Sequence, residues 1–218
     1  GSGLLATVVP GAFDGWMLML RDHGTMSFAN VMAPAIYYAE NGHPVLPRVS
    51  ATIAGLAEFF TDEWPTSAAV WMPGGTAPEP NSLFRNPDLA ATWRRLIAES
   101  EGASGRIAQI DAAREAFYCG FVAEAIGEYL ATAEVMDAAG ERRKGVLTAG
   151  DMANWKATYE KPLSVDYHGW TVWKTGIWGQ RPMLLQALRI LERSDIATLD
   201  PNSADFVHLV TEVIKLAA

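Results

Sequence analysis

The sequence predicts an α+β fold that is predominantly helical and carries one β-hairpin. Three observations lead there. Apolar residues recur at helical spacing along most of the 218 residues. Strand-like alternation occurs once, where Leu163, Val165 and Tyr167 interleave with Ser164 and Asp166 ahead of a His168-Gly169 turn and the Trp-, Thr- and Val-rich run from Trp170 to Thr175. Half of the residues are hydrophobic and 19% are charged, which is enough apolar material for a buried core and too little charge for a disordered chain.

Taken in order, Phe13, Trp16, Met17 and Leu20 line one face of a first helix that Gly24 ends. Ser27 caps a second helix, whose face runs through Phe28, Val31, Met32, Ala35, Ile36 and Ala39 to a stop at Asn41-Gly42. Residues 48 to 60 read as one helix, Pro65 to Met72 as a short one, and Pro73 to Pro80 as loop. Asn86-Pro87-Asp88 opens the next helix, with Leu89, Trp93, Leu96 and Ile97 on one side. Two helices follow between Gly105 and Val135, meeting near Cys119-Gly120, and Thr148 to Asp151 has the form of a helix start. After the hairpin, one helix presents Leu184, Ala187, Leu188 and Leu191, and the last presents Phe206, Leu209, Val210, Val213, Ile214 and Ala217. A two-stranded hairpin is not stable alone in water, so it must pack on helices or add to strands from elsewhere. The chain starts Gly1-Ser2-Gly3 without a Met, and its last helix stops at Ala218 without a cap. Residues 1–218 are therefore expected to be a single piece of a larger polypeptide, truncated at both ends.

The formal charge of −8 argues against nucleic acid as a partner, because displacing counterions from phosphates requires a basic stripe. The one dense basic cluster, Arg142-Arg143-Lys144, reads as a solvated loop. No apolar run reaches the length of a membrane span. Cys119 stands alone among aromatic and small neighbours, as a buried structural thiol would. Phosphate-cradling, dinucleotide, nucleophile-elbow and metal-pair motifs are missing from the sequence, and no cofactor is expected. Asp205, His208 and Glu212 share one helix face, but they flank its apolar stripe as a solvated boundary would, so no metal is assigned. Asp22-His23 and Glu40-Asn41 both sit at helix ends, where a turn explains them. The best binding candidate is the segment from Gly176 to Pro182. Gly179, Gln180 and Arg181 there precede a helix opened by Pro182, and free backbone N–H groups beside an Arg favour a carboxylate. Trp178 is either a specificity wall or plain core.

The order of short motifs carries more than any one of them. Val9-Pro10-Gly11, His23-Gly24-Thr25, Met32 to Ile36 and Ala39 to Val45 are followed by Asn86 to Trp93, Ala116 to Gly120 and Ala123 to Ile126. Gly145 to Thr148, Asp151-Met152, Pro162 to Tyr167, Leu184 to Leu188 and His208 to Ala217 complete the series. In this order the chain resembles the large subunit of the γ-glutamyltranspeptidase (glutathione hydrolase) family of N-terminal-nucleophile hydrolases. The resemblance implies a piece of an αββα sandwich whose other strands are not in this chain, and a precursor that cuts itself. The freed Thr heads the small subunit, which is the expected partner, and it hydrolyses or transfers a γ-glutamyl group. That Thr lies downstream of Ala218 and the Arg that holds the glutamyl carboxylate lies upstream of Val8, so no catalytic residue is assigned in this chain and the piece alone is expected to be inactive. A β-lactam side-chain acylase of the same superfamily and a non-catalytic helical scaffold are the alternatives. Two stretches depart from the family pattern. Thr175 to Pro182 (TGIWGQRP) replaces a Ser- and Gly-rich turn, which opens the question of donor preference, and Thr61 to Pro80 matches poorly.

Overall fold

The computed structural model describes residues 2–180 and 182–218. They fall into two compact units, one running to Ala157 and the other from Thr158 to Ala218. Helices dominate both, as the apolar periodicity predicts.

In the first unit, α1 (Ala12–His23) and α2 (Phe28–Asn41) form the first pair. The Ser27 hydroxyl accepts the Asn30 N–H at 3.2 Å, which satisfies one of the donors a helix start leaves free. Gly42 closes α2 at φ 96°, where a side chain would be strained. Gly24 ends α1 for a different reason. Its backbone is extended, and a Cβ there would lie 2.7 Å from the Leu20 carbonyl oxygen. Strand β1 (His43–Pro44) pairs antiparallel with β2 (Leu83–Phe84). Between them lie α3 (Pro47–Gly55), α4 (Ala57–Asp62) and α5 (Pro65–Trp71). The single helix expected over 48–60 is thus two, broken where Leu56 leaves helical geometry at φ −109°, ψ 4° directly after the weak helix former Gly55.

The long helices α6 (Pro87–Glu101), α7 (Arg106–Tyr118) and α8 (Phe121–Thr132) follow. Asn86 caps α6 by accepting the Leu89 N–H at 3.0 Å. Strands β3 (Val135–Met136) and β4 (Arg142–Arg143) form a second antiparallel pair of two residues each. The basic cluster therefore begins in a strand, where Arg143 reaches Asp137 at 2.9 Å and Arg142 reaches Glu63 at 2.5 Å. Helix α9 (Ala149–Asn154) starts with a capping box in which Thr148 and Asp151 satisfy each other's backbone N–H groups. The core gathers Met17, Phe28, Leu96, Ile110, Ala113, Phe117, Tyr118, Leu130 and Met152. The partly buried Phe13 packs against this core, its ring stacked on Phe117 with centroids 4.3 Å apart. Trp16, placed on the packing face by its spacing, is 62% exposed instead.

The second unit holds the expected hairpin. Strands β5 (Leu163–Tyr167) and β6 (Trp170–Lys174) pair in register from Leu163–Lys174 to Tyr167–Trp170. Their two-residue turn has His168 at φ 47° and Gly169 at φ 84°, the left-handed geometry that matches strand twist. Helix α10 (Pro182–Leu191) packs against both strands and against α11 (Ala204–Ala217). Ala187, Val213 and Ala217 form its small core, flanked by Leu191 and Leu209. Leu185, rather than the expected Leu184, is buried beside Ala187. The hairpin is accompanied among the described residues by the two short ladders β1–β2 and β3–β4, whose runs of two residues are too short to show alternation.

Candidate functional site

The segment joining β6 to α10 is built from a strand end, two glycines and a helix start. Gly179 N–H donates to the Gly176 carbonyl at 3.4 Å, folding residues 176–179 into a turn. Met183 N–H donates to the Gln180 carbonyl at 3.3 Å. One of the N–H groups expected to be free at this helix start is therefore occupied. Gly179 is half-buried and Gln180 exposed. Arg181, the third sequence-predicted binding residue, lies outside the described residues.

Two features of this turn were not visible in the sequence. The Trp178 indole N–H donates to Glu160 Oε2 at 2.6 Å, although the residue is 72% exposed. Glu160 lies eighteen positions earlier, beyond any local pattern. The Thr175 hydroxyl oxygen is buried and has no hydrogen-bond partner among the described residues. Such a group is destabilising by about 1–3 kcal/mol unless something else bonds it. A Cβ added at Gly179 would stand 3.7 Å from that oxygen, an ordinary contact distance. The turn thus offers an exposed, fixed indole, an orphan hydroxyl and an exposed amide within six residues.

The other candidates resolve into packing. Glu40 takes a bidentate grip from Arg94 at 2.6 and 2.7 Å, and this guanidinium holds its carboxyl below the usual carboxylate range. Asp22 accepts from Arg21 at 2.7 Å, and Glu212 from Lys215 at 2.8 Å. Among the described residues no three His, Cys, Asp or Glu side chains come together to hold a metal ion. Cys119 is exposed, contrary to the expectation of a buried thiol, because it follows the last residue of α7 at the bend into α8. Partial desolvation, then the neighbouring Glu115 carboxylate, push its thiol pKa up, which disfavours the thiolate a nucleophile needs.

A polar cleft of about 300 Å³ in the first unit was also missed. Its floor is Asp14, 2% exposed in the first turn of α1. Asp14 Oδ1 accepts from Arg114 Nε, and Oδ2 accepts the Ala157 N–H at 2.8 Å. The Asp14 N–H donates to the Tyr118 hydroxyl at 3.1 Å, and that hydroxyl donates to the Pro10 carbonyl at 2.7 Å. Arg114 also reaches Asp111 at 2.7 Å. These bonds tie the end of the unit to α1 and α7. The only sequence signal was a carboxylate following Phe13 on the face that packs.

Comparison with known proteins extends this picture. The family model described as Gamma-glutamyltranspeptidase matches residues 1–218. The Acylase ACY 1 proenzyme of Pseudomonas sp. (strain SE83) is 31% identical over 99% of this chain and 34% of its own length. The glutathione hydrolase-like YwrD proenzyme of Bacillus subtilis (strain 168) is 29% identical over 96% of this chain and 35% of its own. The solved structure of LmbA2991HD superposes with a TM-score of 0.93 at 52% identity, covering 99% of this chain and 37% of that one. The chain therefore spans about a third of the length of the curated relatives it matches. Among the described residues no helix is long and apolar enough to cross a membrane.

Proposed function

The chain belongs to the γ-glutamyltranspeptidase family, and from that premise we propose that it is the large-subunit portion of an enzyme that hydrolyses or transfers a γ-glutamyl group from an amide donor. The observation that carries this is the family match along the whole chain, by a chain that spans only a third of relatives named as proenzymes. The nucleophile in this proposal is a Thr outside the chain, freed by self-cleavage at the head of a small subunit. Its α-amine takes the proton of its own hydroxyl as the oxygen attacks the amide carbon. The C–N bond breaks, the proton passes to the departing amine, and the glutamyl ester formed on the Thr is then opened by water or by an acceptor amine. Within this chain Gly179, Gln180 and Arg181 contact the donor, and the 218 residues alone are inactive.

The test is to express the complete reading frame and record the intact mass of the purified product. Two chains, the smaller beginning with Thr, together with release of chromophore from a γ-glutamyl anilide, are expected. One uncut chain would overturn self-processing and leave a helical scaffold. The 218-residue chain is expected to release no chromophore above a heat-killed control. A second function, a β-lactam side-chain acylase, is favoured by the 31% identity to an acylase proenzyme. Turnover of a cephalosporin side-chain amide without turnover of the γ-glutamyl anilide would select it.

A further inference from the structure

We draw no further inference here: the strongest candidate, the apolar groove of about 590 Å³ that Trp16, Met19, Val31, Met32 and Trp93 line along α1, α2 and α6, is an unpartnered face of a chain spanning about a third of the length of its relatives, and nothing in the structure shows what covers it.

Discussion

The two units of the chain bury their apolar surface in different ways. Up to Ala157 the core is built from large side chains on α1, α2, α6, α7, α8 and α9, with Leu96, Ile110 and Met152 fully enclosed. From Thr158 onward the buried cluster is Ala187, Val213 and Ala217, and the hairpin keeps Trp170 and Trp173 exposed. The larger unit also locks its last residue with a buried carboxylate, whereas in the smaller one Glu160 holds an exposed indole. Stability is therefore expected to concentrate in the first unit, where large side chains are enclosed. Four measurements break or sharpen that contrast.

The largest effect is expected at Asp14. Replacing it with Ala removes both acceptors of a buried carboxylate, leaving Arg114 partly unpaired and the Ala157 N–H without a partner. Losing one member of a buried pair costs about 3–5 kcal/mol. Urea unfolding of Asp14→Ala followed by far-ultraviolet circular dichroism should show a loss of that size. A loss below about 1 kcal/mol, the value of a surface pair, would mean the node holds nothing.

Core truncations compare the two regions directly. Leu96→Ala empties space among residues that cannot collapse, and should cost about 3 kcal/mol. Val213→Ala removes two carbons from a small cluster that can close up, and should cost about 1–2 kcal/mol. Equal losses would show that the smaller unit is as tightly packed as the larger, and the contrast would vanish.

How much of this was legible in the sequence follows the same division. Caps and turns are local, so Ser27, Asn86, Thr148 and the His168-Gly169 turn were readable, because each bonds or bends within four residues of itself. Helix faces were readable to within one position, which is why Leu184 was expected inside where Leu185 is. What failed depends on partners far along the chain. Asp14 meets Arg114 and Ala157 across 100 and 143 positions, and Trp64 donates to the Met136 carbonyl across 72. In the candidate site the glycine-bearing connection between the hairpin and α10 was foreseen. The role of Glu160 and the orphan Thr175 hydroxyl were not, since neither has a spacing that marks it.

The smallest effect expected is an acid sensitivity of the larger unit. Asp137 is 9% exposed, and its Oδ1 accepts the Glu141 and Ala139 N–H groups at 3.1 and 2.8 Å while Oδ2 faces Arg143. The Glu141 N–H foremost, then the Ala139 N–H and the Arg143 charge, hold this carboxyl below the usual aspartate range. Glu40 and Asp151, both in the same unit, are lowered as well, by Arg94 and by Thr148. A carboxyl whose folded value lies below its unfolded value binds protons more tightly when unfolded. The stabilisation is then complete above the ordinary value of about 3.9 and disappears as pH falls through the lower folded value. The urea midpoint should therefore decline between about pH 5 and pH 2, and Asp137→Asn should flatten that decline while starting from a lower midpoint at neutral pH. A variant whose midpoint tracks the unsubstituted chain at every pH would show that Asp137 carries no charge-linked stability, and that the larger unit owes its advantage to packing alone.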